Sequence, residues 1–340
     1  MTERLELTGA PGSPYTRKML ALLRFRHIPY NMIWGGVTGA PEGYPKPKVQ
    51  LLPTFYFRDG EGKLEAAVDS TPIIRRLECQ YPGPSVIPDH EVLRFLDLLI
   101  EDYADEWLTK VMFHFRWAFE ADAEHAGPLL IHWANPNLPD NQVGMMAAQF
   151  SKRQIDRLYV VGSNGITAKT IEDSYIRLLA LLDRLIEKQG FVLGGRPSAC
   201  DFALYGQLTQ LTQVEPTAMA ISRKLSLRVR AWVDRMDDLS GQQKGQWLAE
   251  EQYGSLNGLL TEIGRTYAPF LIANAQAVQA GAENVETEID GRHWQQPPFP
   301  YQAKCLVALR EAHSGLSADS QAQVNAVLAG TGCEALFVKI

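Results

Sequence analysis

The stretch Gly12-Ser13-Pro14-Tyr15-Thr16-Arg17-Lys18 constrains the fold more than any other part of the chain. A short apolar strand containing Leu5 and Leu7 runs into it. An amphipathic helix carrying Met19, Leu22, Leu23 and Phe25 runs out of it. Ser13 therefore falls on a strand-to-helix turn, and Pro14 suits the first helical position, where a missing N–H costs nothing. Unpaired N–H groups and the helix dipole favour negative charge at such a place, so a bound thiolate would be stabilised beside the Ser13 hydroxyl. The same hydroxyl also fits an ordinary helix N-cap.

The segment up to about Pro84 alternates short strands with helices. Strands are expected at residues 5–8, 29–33, 54–57 and 64–68, with helices at 14–27 and 70–80. The Gly- and Pro-rich residues 35–47 read as loop. Arg58-Asp59-Gly60-Glu61-Gly62 reads as a hairpin turn. The order β-α-β-loop-β-β-α, parallel at the start and antiparallel at the end, makes a small mixed sheet with helices on its faces.

Past Pro88 the periodicity becomes helical. Leu93, Leu96, Ile100, Tyr103, Trp107 and Val111 recur at three- and four-residue steps, with Asp97, Glu101 and Asp105 on another face. This is one long helix towards Trp117. Residues 121–139, broken by Gly127, Pro128, Pro136 and Pro139, are expected to be partly loop. Further helices are expected at 142–159, 171–188, 199–213 and 222–236. Ser198 with Asp201 is a capping-box variant opening the third of these, which gives Asp201 a structural role. The tail after Gly241 holds a helix around 255–281, a hairpin centred on Asp290-Gly291, and two short helices near 301–313 and 318–328.

Composition excludes several classes. The net charge of -6 argues against a phosphate-seeking surface, and so against a nucleic-acid partner. No apolar run is long enough for a bilayer, and the first seven residues lack an apolar signal core. Cys79, Cys200, Cys305 and Cys333 form no C-x-x-C and no zinc-like spacing with histidine, so they read as reduced thiols of a cytoplasmic protein, with no metal. No G-x-S-x-G, H-E-x-x-H or P-loop occurs.

Ser13-Pro14-Tyr15-Thr16-Arg17, then Leu52-Pro53, then Asp69-Ser70 at a helix start, with the Ser198–Asp201 cap as a fourth piece, resemble the glutathione transferase superfamily in order and spacing. The resemblance covers Leu5 to about Met236. It implies an α/β plus all-α fold. A thioredoxin-like N-terminal domain (1–84) would be followed by an all-helical C-terminal domain (90–240), with residues 241–340 as a C-terminal extension packed on it. It implies a glutathione S-transferase of the serine type, with glutathione as co-substrate, joining the thiolate to a small hydrophobic electrophile in detoxification, as a homodimer. Ser13 would donate a hydrogen bond to the sulfur, lowering its pKa. Pro53, by itself an ordinary trans proline, would be cis, letting Leu52 pair with the cysteinyl backbone. Asp69 would take the α-amino group, and Ser70 with the helix N-terminus the γ-glutamyl carboxylate. Both residues also fit a plain helix cap. Lys46 or Lys48, better the latter, would meet the glycyl carboxylate, although either one alone reads more readily as a solvated surface charge.

For the electrophile pocket, between the domains, the candidates are Tyr15, Tyr103, Trp107 and His114, with Phe113 and Trp117 on the same helix; an aromatic stripe at helical spacing is more often core, so only one or two of them are expected to line it. The insertion at 121–165 and the tail after Gly241 depart from the superfamily pattern. Two alternatives therefore stay open: a thiol transferase or reductase using a cysteine, and a non-enzymatic binding protein built on the same fold.

Overall fold

The computed structural model describes residues 4–35, 39–243 and 245–338. β1 (Leu5–Gly9) leads through the Ser13 turn into α1 (Pro14–Phe25), followed by β2 (Tyr30–Trp34), β3 (Thr54–Arg58), β4 (Leu64–Ala67) and α2 (Ser70–Gln80). The sheet order is β2-β1-β3-β4. β1 pairs parallel with β2 and antiparallel with β3, and β3 pairs antiparallel with β4. Of the expected loop 35–47, residues 36–38 lie outside the described residues. Leu7, Met19, Leu22, Leu23, Phe55, Ile74 and Leu77 fill the space between sheet and helices and are inaccessible or nearly so.

α3 (Glu91–Trp117) is a 27-residue helix, about 40 Å long at 1.5 Å per residue. It is followed by α4 (Glu120–Ala134), α5 (Asp140–Ile155), α6 (Ala168–Gln189), α7 (Ala199–Gln213), α8 (Pro216–Leu225) and α9 (Leu227–Met236). α7 is buried on every side and packs between α1 and α3, joining the sheet unit to the helical one. A Cβ on Gly206 of α7 would lie 2.4 Å from the Pro14 carbonyl oxygen, so only glycine lets α7 approach the start of α1. The Ser198–Asp201 cap forms as expected: Asp201 accepts from the N–H groups of Val192 (2.8 Å) and Ser198 (2.9 Å).

One expectation holds only in part and another needs correction. Of residues 121–139, 135–139 are loop, but helix runs to Ala134 through Gly127 and Pro128, and Ala126 and Gly127 are buried against neighbouring helices. Packing there outweighs the Gly and Pro signals. The helix expected over 222–236 is two helices, because the Ser226 hydroxyl accepts the Val229 N–H (3.0 Å) and opens α9 afresh.

The tail folds back on the helical unit. α10 (Asn257–Ala280) packs on α3 and α6, the hairpin β5 (Val285–Ile289) and β6 (Arg292–Gln296) follows, and α11 (Pro300–Ser314) and α12 (Ala318–Leu328) lie against α3. The whole is a small thioredoxin-like sheet unit, an all-helical unit, and a C-terminal extension.

Candidate active site

Ser13 is the N-cap of α1 in extended backbone geometry. Its Oγ accepts the Thr16 N–H at 3.2 Å and donates its proton to the Leu52 carbonyl at 3.3 Å. A hydroxyl has one proton and two lone pairs, so capping and donating are compatible roles. The Leu52–Pro53 bond is cis, and the Leu52 N–H makes no hydrogen bond among the described residues. The turn is fixed from below by Arg116, which is buried. Arg116 donates to the Gly12 carbonyl (3.0 Å), to Glu215 (2.5 Å) and to Gln210 (2.7 Å). Arg17 adds a bond to the Pro11 carbonyl (3.1 Å). From above, α4 presses on the turn: a Cβ on Gly12 would fall 2.2 Å from Leu130 and 2.9 Å from Trp133. Sequence reasoning missed these two insertion residues. Their only signal was the small residue before Ser13.

The start of α2 is built differently. Asp69 caps α2 at φ +78°, a region that Asp tolerates better than most residues. Its carboxylate accepts the Thr71 N–H (3.3 Å) and the phenol of Tyr301 (2.9 Å), which comes from the extension. Ser70 is buried. Its hydroxyl is engaged inward, accepting from Lys18 Nζ (2.9 Å) and facing Asp105 at 3.5 Å, instead of standing open beside the helix N-terminus. Lys18, also buried, pairs with Glu101 (2.7 Å) and Asp105 (2.6 Å). Burial opposes the charge on Lys18, but Asp105 and Glu101 outweigh it and hold the ammonium above its ordinary pKa. Burial raises Asp105 to about 6, with Lys18 opposing and Glu101 adding to the rise. Lys46 and Lys48 stand exposed, without an ion pair among the described residues.

Most of the aromatic stripe of α3 is closed to a ligand. Tyr103 and Trp107 are inaccessible because the extension covers them. Tyr267 meets Tyr103 edge-on at 6.1 Å, and Trp294 and Phe270 lie 5.4 and 6.2 Å from Trp107. His114 is buried too, with Nδ1 2.8 Å from Ser163 and Nε2 3.4 Å from Glu172. Burial lowers its pKa. These three residues are core. Trp117 is also buried, whereas Phe113 is half-buried in a satellite cluster with Leu130. Tyr15 is half-buried, and its phenol donates to the Asp105 carbonyl and lies against Thr109, each at 2.7 Å. Burial keeps that phenol protonated.

A cavity of about 430 Å³ lies between α2, α3 and the extension, lined in part by Ile74, Phe95, Leu98 and Leu316. It touches Thr71 and Glu101, and neither Ser13 nor Leu52 lines it. Among the described residues no cluster of His, Cys, Asp and Glu is arranged to hold a metal, and no helix is long and apolar enough to cross a membrane. Cys79 is exposed on α2. Burial pushes the thiol of Cys333 up to about 12 and those of Cys200 and Cys305 well above the ordinary value.

Comparisons with known proteins bear on this arrangement. Residues 7–85 match the family model for the glutathione S-transferase N-terminal domain, and residues 154–235 that for the C-terminal domain. No curated protein matches. Among solved structures, a GST-like protein from Pseudomonas syringae is 17% identical, covering 68% of this chain and 66% of its own, with a TM-score of 0.40. A glutathione S-transferase from Methylobacterium radiotolerans, in complex with glutathione sulfonate, is 18% identical, covering 73% and 100%, with a TM-score of 0.37. A Tau class glutathione S-transferase from mango, Mangifera indica, is 15% identical, covering 71% and 93%, with a TM-score of 0.40. With both domain models matched in order, one on the sheet unit and the other on the helical unit, the chain belongs to the glutathione S-transferase superfamily.

Proposed function

We propose that the protein is a glutathione-dependent transferase joining the glutathione sulfur to a small hydrophobic electrophile. The observation that carries this reading is the Ser13 hydroxyl. Its lone pair takes the Thr16 N–H, while its proton points out of the helix to the Leu52 carbonyl through a long bond. That proton can swing to a sulfur, and a hydrogen bond to the thiolate, added to the helix N-terminus, lowers the thiol pKa. Glutathione would lie along the row, its cysteinyl backbone on Leu52 beside Pro53 and its amino group on Asp69. The γ-glutamyl carboxylate would sit at the α2 N-terminus by Ser70, and the glycyl carboxylate towards Lys48. The electrophile would rest against the apolar wall of Leu130, Trp133 and Phe113. The thiol proton leaves to solvent and the sulfur lone pair forms the S–C bond. A leaving group then departs with its electron pair or, on an activated double bond, the adjacent carbon takes up a proton. A homodimer, a cytoplasmic location and a role in detoxification belong to the same proposal.

Calorimetry with glutathione, followed by conjugation assays with chloronitroaromatic and isothiocyanate substrates, tests it. Ser13→Ala should lower kcat/KM about 10–100-fold, the range of a hydrogen bond to a charged group. Absence of glutathione binding, or unchanged conjugation by the variant, defeats the proposal. The raised thiol pKa values of Cys200, Cys305 and Cys333 do not support a cysteine-based thiol transferase. The occupied Asp69 and Ser70 side chains give a non-enzymatic binding protein one specific point in its favour. Glutathione binding without conjugation of any substrate in the panel would select that reading.

A further inference from the structure

The start of α11 is clamped onto the amino end of the site. Phe299, just before it, is held on both sides by the Asn274 side chain, which accepts its N–H (2.8 Å) and donates to its carbonyl (3.0 Å). Gln302 is buried and donates to Glu106 (2.9 Å). Between them Tyr301 gives its single proton to Asp69 Oδ2 at 2.9 Å, yet 42% of it remains exposed. Asp69 Oδ1 is turned to the Thr71 N–H, so the carboxylate is fixed in orientation. With its proton committed, the phenol oxygen offers lone pairs beside a carboxylate. Burial first, and then the Asp69 carboxylate, raise the pKa of Tyr301, so the phenol keeps its proton on Asp69. An ammonium brings three protons and no acceptor, and this pairing of carboxylate and phenol oxygens suits it.

We propose that Tyr301, supplied by the C-terminal extension, binds the α-amino group of glutathione together with Asp69 and makes the protein selective for γ-glutamyl thiols whose amino group is free. This inference rests on the glutathione reading above. Tyr301 acts twice: it holds the Asp69 carboxylate in place, and it accepts one ammonium proton itself. The extension is then part of the ligand site, and a thiol without the amino group has nothing to offer two adjacent acceptors.

Calorimetry on the full chain, wild type and Tyr301→Phe, with glutathione and with its deamino analogue glutaryl-cysteinyl-glycine, tests the assignment. The wild type should prefer glutathione. In Tyr301→Phe that preference should fall about tenfold through weaker glutathione binding, with the analogue bound as before. An undiminished preference in the variant, or tighter glutathione binding, overturns the role of Tyr301 and leaves the glutathione reading standing. Failure of the wild type to bind either ligand defeats both.

Discussion

The two ends of the proposed glutathione row hold their polar groups in opposite ways. At the thiol end, Ser13 and Leu52 face each other across one long hydrogen bond, and neighbouring side chains wall the turn without engaging the hydroxyl. At the amino end, Asp69 and Ser70 are knotted to Lys18, Glu101, Asp105 and Tyr301, residues drawn from α1, α3 and α11. A group meant to change partners during a reaction gains from weak, local attachment. A group meant to hold a ligand still gains from a rigid frame, and here that frame is electrostatic.

Substitutions at the two ends should therefore split stability from activity. The largest effect is expected for Lys18→Met. It leaves Glu101 and Asp105 buried and uncompensated, and breaking a buried pair in this way costs about 3–5 kcal/mol. Urea unfolding measures it, and a loss below about 1 kcal/mol would mean that the amino end is not framed by this network. Ser13→Ala should lose only about 1 kcal/mol of stability, that of one N-cap, while losing most of its activity. A stability loss as large as that of Lys18→Met would erase the contrast.

The smallest effect concerns pH. Burial raises Asp97 to about 8, Asp102 to about 7 and Glu106 to about 8. The native state therefore binds more protons than the unfolded chain from about pH 4 upward, and stability falls as pH rises through 7–8. Lys110, lowered to about 7 by burial, acts oppositely above that pH, because there the unfolded chain binds the extra proton. Three carboxylates outweigh one lysine across pH 5–8, so the melting temperature should decline over that interval. Asp97→Asn keeps an acceptor for the Cys200 N–H and should flatten the decline. A variant as steep as wild type would remove Asp97 from this account.

The sheet unit was the most legible part of the sequence, because its cues are local. Pro14 at the helix start, Asp59 to Gly62 in the hairpin turn and the short apolar strands each specify structure over a few residues. The order of Ser13, Leu52-Pro53 and Asp69-Ser70 was legible through resemblance. What covers a surface was not. Tyr103 and Trp107 form the same apolar stripe whether a ligand, a partner or Trp294 lies on it, and only the folded extension decides. The bond from Tyr301 to Asp69 crosses 232 residues and leaves no periodic mark. Pro128 misled in the opposite direction, since a breaker signal yielded to tertiary packing of α4.

That same 232-residue separation has a temporal meaning. A ribosome adding 5–20 residues per second reaches Tyr301 roughly 10–50 s after Asp69. The sheet unit emerges early, and for that interval its amino end waits for its last contact while the α3 stripe under Trp294 is still bare. The nascent chain thus passes through a stage with apolar helix surface uncovered, the stage at which chaperones have most to bind.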